Sequence, residues 1–473
     1  MERCAKYGNR VGNYRPSGLI GGYPVSYPTP PNAAKTQTAK AANRRVGPAV
    51  VVGTALEYFD FFLYSAMAGL VIGPTFFPSS DSTASAMAAL ATFGVGFLAR
   101  PLAGLVFGIM GDKFGRKMVL SWSLILMGGS TGLMGLIPSY DSIGVAAPIL
   151  LVLLRILQGV GAGAEFSAAI TVSYEHAAEG KRGRFGSLPT LGVNLGVFFA
   201  SLAVAGLALI GDDFFYSWGW RIPFVLSFLV AIVGFVIRRK MPETPDFEAM
   251  AVAETRRSWF RVLADLFRSD WRGLVIVFAT YAGYALIATL WKTFSISYLA
   301  EFKDVGGAVS SFGITLASAV AILWTPICGR LCDMIPVQRV LAFGGLMVIL
   351  YAFPFFWLLN TGVSLYIWIA LILGTGLLAP LLSVAASPFM ARQFATKTRV
   401  TGVGVGKESS GAITAGFGPV LALALIVSSG TDSTAAVSGM FILGGILFVF
   451  AAWKGRTTAP TVPKADQLLI TKV

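Results

Sequence analysis

The chain reads GIMGDKFGRK at residues 108–117, a short polar stretch set between two long apolar runs. Its spacing Gly108-x-x-x-Asp112 returns in a second stretch as Gly329-x-x-x-Asp333. The apolar runs of the chain, given below, form two sets of six, and each copy of this spacing lies at the end of the second run of its set. The sequence therefore predicts a duplicated unit of six helices.

The composition excludes an ordinary soluble domain. Hydrophobic residues make up 55% of the 473 residues and charged residues only 13%, about half of the roughly 25% usual in soluble proteins. So much apolar surface requires lipid as the main solvent. The chain has three cysteines and one histidine, too few for a disulfide framework, a zinc cluster or Ser/His catalysis. We therefore expect neither a metal site nor an enzyme.

Twelve apolar runs are long enough to cross a bilayer, for which a helix needs about 20 residues. They lie at 48–77, 84–110, 118–138, 145–173, 186–211 and 218–238, then at 273–299, 308–332, 339–359, 364–391, 402–428 and 434–454. We predict an all-α membrane protein with twelve transmembrane helices in two pseudo-symmetric six-helix bundles, residues 47–240 and 273–455.

Polar segments frame the two bundles. Residues 1–46 lack an apolar run and are rich in Pro, Tyr, Asn and basic residues, which predicts a disordered basic tail. A translation start assigned too far upstream would produce the same segment. Residues 241–272 form a charged linker with the character of a surface helix, and residues 456–473 form a second tail.

Lysine and arginine are concentrated on one side of the predicted membrane. They occupy both tails and the loops after the even-numbered helices, whereas the opposite loops are nearly neutral or acidic. Because positive loops stay in the cytoplasm, both termini are predicted to be cytoplasmic in a plasma membrane, and specifically in a bacterial inner membrane. The net charge of +14 follows from this topology and does not indicate a nucleic-acid partner.

The duplicated polar stretch has a mechanical interpretation. Glycine lets two helix ends approach closely, aspartate suits a neighbouring helix N-terminus or a cation, and basic residues latch the ends together. A loop that only sets topology would explain Lys113 and Lys117 but not the spacing of glycine and aspartate. Two six-helix units around a central cavity are typical of secondary transporters.

Residues 108–117 match in full the signature Gly-x-x-x-Asp-Arg/Lys-x-Gly-Arg-Arg/Lys of the major facilitator superfamily, which the chain resembles over about residues 48–455. Within it, the sequence is similar to the metabolite:proton symporter family, which includes shikimate, α-ketoglutarate and proline/betaine transporters. The segments that carry this second resemblance are LEYFDF (56–61), FLARP (97–101), RILQG (155–159), WGWRIPF (218–224) and PETPDF (242–247).

The resemblance implies a set of gating residues. From the first signature these are Gly108, Asp112, Lys113, Gly115, Arg116 and Lys117. The second copy contributes Asp333, although Pro336 and Val337 replace its usual Gly and Arg. A loop similar to that of sugar porters adds Glu175 and Arg182.

Eight charged residues fall at bilayer depth, where each costs roughly 2.5–3.5 kcal/mol unless it is paired or hydrated. Glu57 and Asp60 are three residues apart on one helix face, and we expect one of them to pair with Arg100 or Arg155. Burial opposes ionisation of a carboxylate and a guanidinium favours it, so these acids are predicted proton carriers, together with Glu165. A permanent salt bridge between helices is the alternative.

The remaining charges are predicted to bind substrate. Arg155 and Gln158 share a face of the fourth helix, and a guanidinium binds carboxylates bidentately. Snorkelling to the lipid surface is the alternative for Lys292. The full set of substrate-binding candidates is Arg100, Arg155, Gln158, Lys292, Lys407 and Glu408. Aromatic candidates for the cavity wall are Tyr58, Phe59, Tyr64, Tyr281, Tyr284 and Trp291.

These residues favour a proton-coupled symporter of a small organic solute that works by alternating access. The cations favour an organic anion such as a carboxylate, with no cofactor other than the coupling proton, and a monomer is expected. Symport of a zwitterionic compatible solute and proton-antiport efflux are alternatives. A transporter-like sensor would need a signalling domain, and neither tail is predicted to contain one. A membrane enzyme would need a nucleophile paired with a base, which the single histidine does not provide.

Overall fold

The structure is a computed structural model that describes residues 31–114, 116–163, 165–178, 180–239, 266–268, 270–395, 398–429 and 433–457. Residues Met1–Arg45 and Val46–Val473 form two separate units, and the second contains the transmembrane region. Helices and turns, but no β-strands, occur in these described ranges.

Six helices form the first half. They are α1 (Pro31–Met67, continued by a π-helical turn at Ala68–Ile72 and by Gly73–Phe76), α2 (Ser82–Phe114), α3 (Arg116–Met134), α4 (Ala146–Ala162 and Glu165–Glu175), α5 (Arg182–Ala208) and α6 (Arg221–Arg239). Short helical segments at Tyr140–Ile143, Asp212–Phe214 and Phe215–Gly219 precede α4 and α6.

Six helices form the second half. They are α7 (Trp271–Thr289, a π-helical turn at Leu290–Phe294, and Ser295–Lys303), α8 (Gly307–Met334), α9 (Val337–Leu359), α10 (Ser364–Leu371, a π-helical segment at Ile372–Leu378, and Ala379–Ala391), α11 (Arg399–Ser429) and α12 (Ala435–Lys454). The residues at 240–265 between the halves, where most of the predicted linker falls, lie outside the described residues.

The twelve helices of the described chain coincide with the twelve predicted spans. Nine are long and apolar enough to cross a bilayer, and a tenth qualifies if Asp212–Gly219 and Arg221–Val236, bent by 46°, count as one span. The other two are α3 and α4. The first helix begins at Pro31 rather than near residue 48, because the Ala- and Lys-rich stretch at 33–42 favours helix.

The internal duplication is visible in the backbone. Asp112 and Asp333 occupy the last turns of α2 and α8, so both polar stretches begin as helix ends rather than as loops. Helices α1 and α7 each contain a π-helical turn. Packing of α2 on α11 and of α8 on α5 brings the halves together, and these two pairs are related by a shift of six helices.

Glycines set the distance between the halves. A Cβ atom added to Gly94 on α2 would lie 2.7 Å from the carbonyl oxygen of Gly416 on α11. One added to Gly183 on α5 would lie 2.5 Å from the carbonyl oxygen of Gly329 on α8. The backbones are therefore in direct contact at both interfaces, as is usual where helices pack in lipid.

Hydroxyl groups link the halves along α5. Thr190 and Ser383 are 2.9 Å apart, and the Asn194 amide donates to the Thr325 hydroxyl over 3.2 Å. Near the other end of α5, the Thr315 hydroxyl donates to Ser201 over 3.0 Å. A neutral hydrogen bond contributes only about 0.5–1.5 kcal/mol, so none of these three bonds holds the halves together strongly.

The tightest glycine contact lies inside the first half and generates a stability prediction. A Cβ atom on Gly159 of α4 would lie 1.9 Å from the carbonyl oxygen of Gly96 on α2, which forces the helices apart. We expect Gly159→Ala to destabilise the protein by at least about 1–3 kcal/mol, the usual cost of overpacking. The matched control is Gly129→Ala, because a Cβ atom there has nothing within 4 Å. Thermal unfolding in detergent should separate the two variants, and equal midpoints would contradict this packing.

Candidate functional site

A cavity lies between the two halves, bounded by α1, α2, α5, α7 and α11; we call it the central cavity. Its charged lining residues are Arg100 from the first half and Lys292 from the second. The aromatic residues of its wall are Tyr58, Phe61, Phe62, Phe97, Tyr281 and Tyr284. The cavity therefore combines two cations with an aromatic wall, a lining suited to a small organic ligand.

One cation of the central cavity is already paired. The Arg100 guanidinium lies 3.4 Å from the Glu57 carboxylate, and both side chains are buried. The same guanidinium is 4.7 Å from the ring centres of both Phe61 and Phe97. Of the pairings predicted for the first helix, the structure forms the one between Glu57 and Arg100.

The other cation, Lys292, lies in the π-helical turn of α7. Its side chain is only 7% exposed, and no ion pair joins it to an acid among the described residues. The residues around it in the cavity wall include Thr289 and Thr293. Lys292 faces the cavity between the halves rather than snorkelling to lipid.

Arg155 and Gln158 lie in a second, smaller cavity inside the first half. The Arg155 guanidinium stacks 3.9 Å from the ring centre of Tyr64 and donates to the Phe93 carbonyl oxygen over 3.1 Å. It also donates to the amide oxygen of Gln158, whose amide nitrogen donates to Thr131 over 2.6 Å. Arg155 is thus held by neutral groups of its own half, and Arg100, which lines both cavities, separates it from the central cavity.

Asp60 has a different partner from Glu57. It accepts a hydrogen bond of 2.6 Å from the Ser227 hydroxyl on α6, and its carboxylate is buried. Residues three apart on a helix differ by about 60° in direction, which is enough to place them against different neighbours. The structure therefore separates the two predicted proton carriers of α1.

Three further charges lie at the boundary between the halves. The Lys407 ammonium pairs with Glu408 over 2.5 Å, and both residues are buried in α11. Glu165, buried at the start of the second segment of α4, is close enough to interact electrostatically with Glu57. Neither Lys407 nor Glu408 forms part of the central cavity wall described above.

Asp333 links the halves where α5 begins and α8 ends; we call this the basic end of the bundle. Its carboxylate accepts a hydrogen bond of 2.7 Å from the Gly183 backbone N–H and lies 3.2 Å from the Arg184 guanidinium. An acid at the first turn of a helix is stabilised by the helix dipole. Asp333 thus caps a helix of the opposite half, which is the role expected of a gate residue.

A second contact at the basic end centres on Tyr174. The guanidiniums of Arg182 and Arg399 lie 4.7 and 4.9 Å from its ring centre, one from each half. At the opposite end, the Ser82 hydroxyl donates to Glu301 over 2.8 Å, again between halves. Contacts between the halves therefore occur at both ends of the central cavity.

Several predicted gating residues fall outside the part of the chain that the structure describes. These are Gly115 and the side chains of Asp112, Lys113, Arg116, Lys117 and Glu175; of Gly108 only the helical backbone is described. Within the described ranges, no group of three or more His, Cys, Asp or Glu residues could hold a metal ion.

The sequence interpretation missed three partners: Arg184, Arg399 and Tyr174. The two arginines belong to basic segments that were assigned only a topological role, and nothing in their spacing identifies the groups that they contact. Tyr174 directly precedes Glu175, so the loop similar to that of sugar porters was the available signal.

Comparisons with known proteins agree on one family. The sequence profile of the Major Facilitator Superfamily matches residues 50–407. The inner membrane metabolite transport protein YhjE of Escherichia coli K12 is 33% identical over 84% of this chain and 92% of that protein. The proline/betaine transporter of the same strain is 33% identical over 82% of this chain and 78% of its own length. The shikimate transporter of the same strain is 32% identical over 81% of this chain and 88% of its own length.

Solved structures agree on the fold. A crystal structure of the D-xylose-proton symporter aligns with a TM-score of 0.64 and 15% identity, over 88% of this chain and 97% of that one. A partially occluded, inward-open structure of the xylose transporter XylE from E. coli aligns with a TM-score of 0.63 and 13% identity. The alignment covers 86% of this chain and 95% of that one. The predicted twelve-helix fold is thereby confirmed.

Asp333 generates a prediction about the basic end. A backbone hydrogen bond to a carboxylate contributes about 1.5–3 kcal/mol, whereas an ion pair with an exposed partner contributes about 0–1 kcal/mol. Because the Arg184 side chain is 55% exposed, the bond to Gly183 should dominate. We expect Asp333→Ala to raise the population open at this end by roughly 10- to 100-fold, and Arg184→Gln to change it little.

Spin labels at Lys181 and Arg330, exposed positions on opposite halves, would report this opening as a longer distance in electron–electron double resonance. The cysteines at 4, 328 and 332 are replaced by serine. Asp304→Asn, at an exposed site of the opposite end, is the control. Equal effects of Asp333→Ala and Arg184→Gln would show that the hydrogen bond to Gly183 is not the main latch.

Proposed function

The chain belongs to the Major Facilitator Superfamily and is a multi-pass membrane transporter, and from that premise we propose that it carries a small organic anion together with a proton by alternating access. The resemblance inferred from residues 108–117 is confirmed by the family match. The expectation that the chain is not an enzyme is likewise confirmed, because its relatives are transporters.

Lys292 is the observation that carries the proposal of an anion. Removing an ammonium from water without a counter-ion costs several kcal/mol, yet Lys292 is buried against the central cavity with no ion-pair partner among the described residues. A carboxylate entering the cavity would supply the missing charge. The relative named as a shikimate transporter handles a substrate of this class, an acid with a compact ring.

The Glu57–Arg100 pair supports coupling to a proton. Arginine keeps its proton, so Glu57 is the member of the pair that can gain and lose one. Arg100 also lines the central cavity, where a substrate anion would compete with Glu57 for the same guanidinium. Binding of the anion and protonation of Glu57 therefore favour each other.

A second candidate substrate is a zwitterion with a quaternary or secondary ammonium. The aromatic wall favours it, because the faces of Tyr58, Tyr281 and Tyr284 attract cations. The relatives include a proline/betaine transporter at similar identity. In this case Lys292 would hold the carboxylate and the tyrosines the ammonium.

The setting of this activity is also a proposal. The basic end faces the cytoplasm, as the positive-inside rule requires, with both termini on that side of a bacterial inner membrane. The central cavity is built from both halves of one chain, which supports a monomer as the working unit. No cofactor is needed, because the proton gradient supplies the driving force.

Substrate class is tested by uptake of labelled solutes into proteoliposomes under an imposed pH gradient. We expect carboxylates to accumulate and a protonophore to abolish accumulation. Lys292→Gln should raise the KM for the anion by about 10- to 100-fold, because a hydrogen bond to a charged group contributes roughly 1.5–3 kcal/mol. Lys454→Gln, on an exposed side chain at the end of α12, is the matched control.

The competing functions predict different results in this assay. Accumulation of betaine or proline, but of no simple anion, would favour the zwitterion. Accumulation only when the gradient is reversed would favour efflux. Unchanged uptake after collapse of the gradient would remove proton coupling.

Proton coupling at Glu57 is tested separately. Glu57→Gln has nearly the same shape but cannot ionise, so gradient-driven accumulation should be lost while counterflow exchange persists. Asp60→Asn is the variant for comparison, because Asp60 lies on the same helix but accepts a hydrogen bond from Ser227. It should retain more gradient-driven accumulation than Glu57→Gln. Full accumulation by Glu57→Gln would place the proton site elsewhere.

A further inference from the structure

Two buried ion pairs lie on opposite sides of the boundary between the halves. Glu57 and Arg100 pair within the first half over 3.4 Å, and Lys407 and Glu408 pair within the second over 2.5 Å. All four side chains are buried. Each pair connects residues of one half only, so neither has to be broken when the halves move apart.

The Lys407 side chain nevertheless reaches the first half. Its ammonium lies 4.8 Å from the ring centre of Phe166 on α4 and 5.0 Å from that of Tyr281 on α7. The Phe166 ring is in turn 5.5 Å from that of Tyr58, the residue next to Glu57. Lys407 therefore contacts the wall of the first half beside Glu57.

The two pairs also interact electrostatically across the boundary. Glu57 is attracted by Lys407 as well as by Arg100, and Arg100 is attracted by Glu408 as well as by Glu57. Lys407 and Arg100 repel each other. We call these four residues the charge quartet; its signs alternate, so with all four groups ionised opposite charges attract across the boundary.

The surroundings of Glu57 limit which groups control its charge. The charged groups near enough to interact electrostatically with Glu57 are Arg100 on α2, Glu165 on α4, and Lys407 and Glu408 on α11. Helices α5 and α6 pack against α1 through glycines, with the closest contacts at Gly192, Gly196 and Gly234. In a low-dielectric interior these interactions are much stronger than they would be in water.

We propose that the charge quartet couples protonation of Glu57 to opening of the basic end, with Lys407 as the second-half residue that responds to the charge of Glu57. Protonation removes the charge on Glu57 that attracts Lys407, so the attraction between the halves weakens, while Arg100 is still attracted by Glu408 and repelled by Lys407. Lys407 lies about 12 Å into α11, counted from Arg399 at roughly 1.5 Å per residue, so the loosened region adjoins the basic end. This inference rests on the proposed function, because it takes Glu57 as the proton site.

The test measures conformation and needs no substrate. Spin labels at Lys181 and Arg330 in the cysteine-free protein report the open population of the basic end in liposomes over a range of pH. We expect the open population to rise as pH falls, and Glu57→Gln to show the low-pH population at all pH values. Lys407→Met combined with Glu408→Gln removes both second-half charges, leaves no single buried charge behind, and should lose the pH response.

A charge-reversed variant keeps the second-half pair but exchanges its signs. Lys407→Glu with Glu408→Lys places an acid where Lys407 faced Glu57, so protonation should now favour the closed state and reverse the pH response. Lys454→Met is the control for loss of a lysine. If the Lys407–Glu408 pair had only a structural role, the variant Lys407→Met with Glu408→Gln would unfold at a lower temperature but keep its pH response. That result would overturn the proposal.

This readout separates the inference from the proposed function. If wild-type protein accumulates carboxylates with protons but the quartet variants keep the full pH response, the quartet is not the coupling element and the transport function stands. If the pH response depends on Lys407 but no solute accumulates under a gradient, proton-coupled transport fails and the charge coupling stands.

Discussion

An ion removed from water loses several kcal/mol of solvation, so a buried charge needs a counter-charge or polar groups around it. The rest of the site depends on how this constraint is met. Each half pairs its own charges, Glu57 with Arg100 and Lys407 with Glu408. Arg155 is held by carbonyl oxygens and a tyrosine ring of its own half. Because these groups are paired or held within one half, the halves can separate without breaking either ion pair.

The contacts between the halves are accordingly weak and replaceable. Lipid supplies no hydrophobic force between helices, so close packing of glycines and hydrogen bonds between hydroxyl groups hold α5 against α8. Water can replace each of these bonds when the interface opens. Asp333 is different, since it joins a full charge to the N-terminal turn of a helix in the other half. That difference makes one end of the interface stronger than its middle.

The parts of this architecture that depend on local pattern could be predicted from the sequence. Apolar runs located the twelve helices, and the repeated Gly-x-x-x-Asp spacing placed Asp333 at the boundary. Opposite charges at bilayer depth predicted that Glu57 or Asp60 pairs with Arg100 or Arg155, and the structure forms the pair between Glu57 and Arg100. The partners of Asp60 and Arg155 could not be predicted, because they are a serine on α6 and neutral oxygens and rings. Serine hydroxyls, backbone oxygens and aromatic rings are abundant in membrane helices. Which of them faces a given charge depends on how each helix is turned about its own axis.

The two buried lysines of the second half show why residue type alone does not assign a role. Lys292 and Lys407 both lie in transmembrane helices and both are buried. Lys407 has its counter-ion in the next residue, so a ligand would have to displace Glu408 to reach it. Lys292 faces the central cavity and has no ion-pair partner in the part of the chain that the structure describes. Arg100 belongs to both sites, because it lines the central cavity with Lys292 and forms part of the charge quartet with Lys407. If an anion in the cavity drew Arg100 away from Glu57, it would weaken the Glu57–Arg100 ion pair. A proton on Glu57 would weaken the same ion pair.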